Sequence, residues 1–311
     1  MSTSPLPHDR GTNVTPVDEA GDQEAKVLEW HKQDPEQRLG FKGGRYTTSN
    51  NVLSLLGAVL GAGCFFALLL FGLRQFEVCQ PLCTILLERG PTQYIVVLFF
   101  FWVLGMLWIK HRKLEFQKRA FQLPIMPTDA SFSLNPDTAP DVLKRLHEMV
   151  DDPVHFAVLN RVERALANLD NIGHTADVTA ILKVQADNDE AQVAASYGMM
   201  QGFVWAIPVL GFIGTVLGLG RAIGAFGVTL QREGDFEGIK DSLTAVIGGL
   251  STAFDTTLLA LVLALVLHLI VSLLQTREAE WLDACNEYCS RLVAGRLRLR
   301  DAYAAQTRDV E

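Results

Sequence analysis

Residues 246–271, VIGGLSTAFDTTLLALVLALVLHLIV, decide what kind of protein this is. The stretch is long and apolar enough for a membrane-spanning helix, since a hydrocarbon core of about 30 Å needs about 20 helical residues. It nevertheless carries an acid, Asp255, among Ser251, Thr252, Thr256 and Thr257. A charged side chain at bilayer depth costs about 3 kcal/mol or more, so it normally faces a bundle interior or a water path. The stretch therefore raises the hypothesis that the protein moves an ion.

The composition fits a membrane protein with sizeable parts in water. The chain has 311 residues, of which 49% are hydrophobic, and its mean hydropathy is +0.19 although both ends are polar. The net charge of −8, with no dense basic patch, gives no sign of nucleic-acid binding.

Four apolar runs are candidates to cross the bilayer: residues 52–73, 94–109, 203–226 and 243–274. The predicted fold is therefore all-α, a polytopic membrane protein with four transmembrane helices. The fourth run has about 30 residues, which at about 1.5 Å each is longer than a bilayer is thick. We expect this helix to extend into water.

Lysine and arginine near the spans predict the orientation, because cytoplasmic loops carry an excess of both. Cations precede the first span, follow the second and follow the fourth: Arg38, Lys42, Arg45, Lys110, Arg112, Lys113, Lys118, Arg119, Arg277, Arg291, Arg296, Arg298 and Arg300. The loops at 74–93 and 227–242 hold fewer. Both termini and the segment 110–200 are therefore predicted to be cytoplasmic, with the two short loops outside.

This topology divides the chain into five predicted segments. Residues 1–50 form a mostly disordered cytoplasmic tail, because charge, Pro and Gly are frequent there and no apolar period is sustained. Residues 51–110 hold the first two spans, and 111–200 hold a proline-rich linker and a cytoplasmic helical domain. Residues 201–275 hold the third and fourth spans, and 276–311 form a cytoplasmic C-terminal helix.

No pattern points to an enzyme, a cofactor or a metal. The phosphate loop, the nucleophile elbow, CxxC and His-Glu-x-x-His are all missing from the sequence. Cys79 and Cys83 fall in the predicted outer loop, where an oxidising compartment permits a disulfide. A disulfide between them and two unpaired thiols are both open.

Small residues recur at steps of three and four in the last two spans, which places them on one face of each helix. The third span carries Pro208, Gly211, Thr215, Gly218 and Ala222, and the fourth carries Gly249, Ala253, Thr257, Ala260 and Ala264. Such faces are typical of close helix–helix contact. Thr252, Asp255, Thr256 and Leu259 lie on the adjoining face of the fourth span.

The hydroxyl groups admit two interpretations. A threonine in a membrane helix can simply donate to the carbonyl one turn earlier. Taken together with Asp255 and Pro208, however, the hydroxyls of Thr215, Thr252, Thr256 and Thr257 indicate a narrow polar conduit for an ion.

Two motifs carry a family resemblance. WAIPVLGFIGTVLGLGRAI at 205–223, followed by GGLSTAFDTTLLALVLALVLH at 248–268, resembles the MotA/TolQ/ExbB proton-channel family over roughly residues 190–290. The four-span layout is closer to MotA than to the three-span ExbB or TolQ. On the family pattern, the pore-lining threonines match Thr215 and Thr257, and the proline of the third span matches Pro208. Where ExbB has a glutamate on its last span, this chain has Thr252, and Asp255 follows three residues later.

The resemblance implies a stator of the bacterial inner membrane. Five copies of the chain would surround a pore with their third and fourth spans, and two copies of a single-span partner of the MotB/ExbD/TolR type would sit inside it. Ion flow, of H⁺ or Na⁺, would drive movement of that partner. The competing hypothesis is a non-conducting structural oligomer whose polar groups serve only helix packing. A secondary transporter is weaker, because no repeat relates the two pairs of spans.

Overall fold

A computed structural model describes residues 28–298, apart from 42, 73–79, 88–89, 128–131, 168, 170–174 and 231–235. The described chain is α-helical, and its β contacts are two isolated bridges, Leu28 with Val150 and Leu134 with Leu297. The α-helices are α1 Trp30–Gln33, α2 Asn51–Phe71, α3 Gln80–Leu87, α4 Pro91–Lys118, α5 Ala139–Met149, α6 Ala157–Ala167, α7 Thr175–Ala195, α8 Gly198–Leu230 and α9 Phe236–Leu292. The predicted all-α fold is confirmed.

Four helices are long and apolar enough to cross a membrane, and they are α2, α4, α8 and α9. Local sequence explains where two of them begin. The side chain of Asn50 caps α2 by accepting a hydrogen bond from the Val52 amide at 2.9 Å. Pro91 opens α4, where its missing N–H costs no helical hydrogen bond. The four predicted spans are confirmed.

The four spans form a bundle in which α4 connects the two pairs. Helices α8 and α9 share the most extensive contact in the described chain, α2 packs along α4, and α4 contacts both α8 and α9. The indole of Trp102 on α4 donates to the Ser54 hydroxyl of α2 at 3.1 Å, which satisfies a polar pair between these two spans.

A helical domain continues from one end of this bundle. Helices α6 and α7 pack on α9, α5 packs on α6, and their apolar faces join one large core that includes the end of α4. Helix α9 has 57 residues, which makes it about 86 Å long at about 1.5 Å per residue. The same helix therefore crosses the membrane and forms part of the domain, as the length of the fourth apolar run predicts.

The structure differs from the predicted disordered tail at residues 28–50. Trp30 and Tyr46 are fully buried in the domain core, and the Trp30 amide donates to Asp151 at 2.9 Å. The hydroxyl of Tyr46 accepts from Asn160 at 2.8 Å, and burial raises the pKa of this phenol to about 12. Isolated aromatic anchors leave no apolar period, so periodicity does not reveal them. Residues 1–27 lie outside the described residues.

Two buried lysines of α4 tie the domain together. The ammonium of Lys113 lies 2.5 Å from Glu36 and donates to the carbonyl of Thr48 at 2.8 Å. The ammonium of Lys110 lies 2.9 Å from Glu278 on α9, and both side chains are fully buried. Each charge has a partner, which is the condition for burying an ion in a protein.

These contacts place residues 28–50, helices α5–α7 and the end of α9 together at one end of the four-helix bundle. If α2, α4, α8 and α9 each cross the membrane once, the segments before α2, between α4 and α8, and after α9 lie on the same side of it, which agrees with this grouping. The cation bias predicts that this side is cytoplasmic.

Candidate functional site: the flank of the third and fourth spans

Helices α8 and α9 meet along a seam of small residues within one chain. A Cβ placed on Gly211 would lie 2.5 Å from Cβ of Ala260, and a Cβ on Gly249 would overlap Cβ of Ala222. Gly218 faces the backbone of Gly249. Glycine at these positions lets the two helix backbones approach closely. The two predicted small-residue faces therefore pack on each other, and they need no second copy of the chain to cover them.

One side of the seam faces α4. A Cβ on Gly214 would lie 2.9 Å from the hydroxyl oxygen of Thr92 on α4 and 3.2 Å from that of Thr256 on α9. Thr256 is buried, and its hydroxyl donates to the carbonyl of Ala253 at 2.8 Å. Gly214 and Thr256 thus mark the α4 side of the pair.

Thr215 and Thr257 lie off the α4 side and border the seam, because each follows one of these two residues and successive helical residues are about 100° apart. Both threonines keep part of their surface exposed. Their hydroxyls donate to carbonyls of their own helices, Thr215 to Phe212 at 2.6 Å and Thr257 to Ala253 at 2.9 Å. Each oxygen retains lone pairs, so it can still accept a hydrogen bond or coordinate a cation. We call this side of the α8–α9 pair the threonine flank.

Asp255 does not share that flank. It lies two residues before Thr257, which is about 200° around the helix, and it is half-buried. The structure therefore separates the acid from the two threonines within one chain. Thr252 lies within α9, and its side chain is outside what the structure describes.

A groove of about 510 Å³ runs along the same flank, on the domain side of the two threonines. Pro208 and Gln201 of α8 line it, together with His268 and Gln275 of α9. Sequence reasoning singled out Pro208 but not the other three. Helical spacing could have identified two of them. His268 and Gln275 follow Thr257 by 11 and 18 residues, which returns both to nearly the same helical face.

Large apolar side chains cover the rest of the outer surface of α8 and α9. More than half of each of the following is exposed in the single chain: Trp205, Phe212, Val216, Ile247, Phe254, Leu258, Leu265 and Leu273. Exposed apolar surface of this extent needs lipid or other membrane helices around it.

The cysteines of the outer loop are described only in part. Cys83 is buried, and its sulfur lies 3.9 Å from the carbonyl oxygen of Leu69. Cys79 lies outside the described residues, so its pairing with Cys83 stays a prediction.

Comparison with known proteins gives one match. Residues 150–286 match the model of the MotA/TolQ/ExbB proton channel family. The match covers α6, α7, α8 and most of α9, and therefore the whole threonine flank. No curated protein and no solved structure matches the chain.

Proposed function

We propose, from the premise that residues 150–286 form a MotA/TolQ/ExbB proton channel domain, that this protein is the pore-forming subunit of an ion-driven membrane motor. Ion flow past the threonine flank would move a single-span partner of the MotB/ExbD/TolR type. The protein would act as a channel subunit, not as an enzyme, in the inner membrane of a bacterium.

The position of the two threonines carries this proposal. Thr215 and Thr257 belong to different helices, yet both border the α8–α9 seam about 100° around from the residues that face α4, and both stay partly exposed. A ring of such pairs would present hydroxyls to its centre and leave α2 and α4 toward lipid. The exposed apolar surface of α8 and α9 supplies area for neighbouring copies and for the partner. A homopentamer around a partner dimer is the assembly that we propose.

The test is replacement of Thr215 or Thr257 by Val, which keeps the shape and removes the hydroxyl. An ion that passes without this oxygen loses a ligand worth several kcal/mol, which slows conduction by orders of magnitude. We expect proton flux into native membrane vesicles to fall at least about 100-fold while the assembly survives. Native mass measurement checks the assembly.

Thr256→Val is the matched control, because Thr256 is the neighbouring threonine and is buried on the α4 side, whereas Thr215 and Thr257 stay partly exposed. We expect its flux to equal that of the parent. Asp255→Asn keeps the shape of a side chain that lies opposite Thr257, and we expect it to be tolerated as well. Loss of flux in Asp255→Asn with intact assembly would instead assign the acid to the path.

A non-conducting scaffold is the second candidate function. The hydrogen bonds of Thr215 and Thr257 to their own helices favour it, because a hydroxyl satisfied in this way can serve packing alone. The scaffold predicts that both Thr→Val variants behave as the parent does. That result, in assembled protein, would reject the channel.

A further inference from the structure

The groove beside the threonine flank continues the line of Thr215 and Thr257 toward the domain. His268 lies 11 residues after Thr257, which is about 20° around α9 and about 16 Å along it toward the domain. On α8, Pro208 and Gln201 precede Thr215 by 7 and 14 residues and return to the same face. The groove therefore extends the line of the two threonines toward the domain side of the membrane.

The groove carries three polar side chains on a mostly apolar lining. Gln201, His268 and Gln275 project from walls that are otherwise formed by residues such as Trp205 and Leu261. Pro208 adds a further acceptor, since it has no N–H to donate to the carbonyl of Val204 one turn before it. An ionisable side chain at membrane depth is costly and normally lines a path or faces a partner.

A second groove adjoins this one on the domain side and shares the lining residue Gln275 with it. It has a volume of about 280 Å³, lies between α7 and α9, and is lined by Glu190, Asp283 and Tyr197 among others. The two acids are exposed at the domain surface, where negative charge raises the local concentration of cations.

We propose that these two grooves form the domain-side half of the ion path and that His268 relays protons through it. This inference rests on the proposed function and deepens it, because it selects H⁺ over Na⁺. One imidazole nitrogen accepts a proton from water on the threonine side, and the other releases a proton to water near Gln275. Rotation of the ring restores the starting tautomer without returning the proton, and no bond other than N–H and O–H changes. Na⁺ gains little from an imidazole, since hard cations prefer oxygen ligands.

No other lining residue of the first groove can take over this relay. Its residues on α8 and α9 are apolar or carry amides, apart from His268. The titratable groups nearest along the path are Glu190 and Tyr197 from the α7 side and Asp283 on α9, all in the second groove. The proposal therefore depends on one side chain that can be replaced.

The test is His268→Gln, which keeps a polar side chain and removes proton transfer. Proton flux is measured in native membrane vesicles in which the full-length variant replaces the parent chain. We expect a fall of about 100-fold, the usual range for the loss of a positioned proton-transfer group. Leu269→Gln is the matched control, because it places the same side chain at the same depth on an exposed, neighbouring position. We expect it to conduct as the parent does.

Gln275→Leu tests the junction of the two grooves independently of the histidine. We expect flux to fall, because Leu removes the polar group that both grooves share. If His268→Gln and Gln275→Leu assemble and conduct normally while Thr215→Val does not, the inference is wrong and the channel stands. If the parent carries Na⁺ in place of H⁺, the relay is wrong and the channel stands. If all of these variants conduct as the parent does, the channel assignment fails as well.

Discussion

The buried ion pair between Lys110 and Glu278 joins the second and fourth spans where they enter the domain. Lys110 also donates to the hydroxyl of Thr47 at 3.4 Å, and its ammonium lies 4.2 Å from the centre of the Tyr197 ring. One lysine thus contacts residues from the N-terminal segment, from the α7–α8 connection and from α9.

Removing one partner of this pair should destabilise the protein strongly. We expect Lys110→Met to lower the free energy of unfolding by about 3–5 kcal/mol, because Glu278 would remain as a buried charge without a partner. The double variant Lys110→Met with Glu278→Leu should recover most of the loss, since both charges are then gone. Thermal unfolding in detergent measures all three proteins. Equal stability of the single and double variants would contradict this account.

His268 shows what residue-by-residue reasoning from the sequence overlooks. Asp255 attracts attention because it is charged and stands among threonines, whereas His268 stands alone in an apolar run. In the structure His268 is the stronger candidate for the ion path, because it lines a groove with two glutamines. Asp255 lies on the opposite side of α9 from Thr257. Those surroundings depend on helices that are distant in sequence.

At the scale of the helix, the seam between α8 and α9 depends on glycine at position 211. We expect Gly211→Ala to force the helices apart, because its Cβ would lie 2.5 Å from that of Ala260. Overpacking of this kind costs about 1–3 kcal/mol. Unfolding measurements in detergent should show this loss of stability.

Gly202→Ala is the control for that substitution, since nothing lies within 4 Å of a Cβ at Gly202. It should be neutral or slightly stabilising, because alanine favours a helix more than glycine does. The double variant Gly211→Ala with Ala260→Gly moves the methyl group to the other helix and should restore stability. A destabilised double variant would show that the contact between positions 211 and 260 does not set how closely α8 and α9 approach.

The helices could be predicted well because their signals are local. Apolar runs gave the four spans, and steps of three and four gave the small-residue faces. The sequence could not show that these two faces cover each other, because either face could equally have packed on a second copy of the chain. It also could not show that Gly214 and Thr256 face α4, which is what orients Thr215 and Thr257.

At the scale of the whole molecule, the domain is built from segments that are far apart in the chain. Residues 28–50 were not predictable as part of it, because their anchors are single aromatic and acidic side chains. Partners such as Asp151 and Lys113 lie far along the sequence. Only the folded chain brings them together.

The orientation of the molecule gives a prediction at this scale. We expect a membrane-impermeant thiol reagent applied from outside to label cysteines introduced at 228–240, but not at 145 or 300. The cation bias predicts a cytoplasmic domain. The experiment uses a chain whose native cysteines are replaced by serine, and permeabilised cells serve as the control in which all sites react. Labelling at 145 alone would invert the topology.

Helix α9 is an unbroken rod from the threonine flank to the far end of the domain. Leu292 follows Thr257 by 35 residues, about 52 Å along the axis, so a tilt of about 5° at the flank would displace Leu292 by about 4–5 Å. A helix this long acts as a lever arm: it magnifies a displacement too small to disturb the seam into one large enough to repack a surface. A small tilt of α9 caused by ion passage at the flank would then produce its largest displacement at the domain end of the helix.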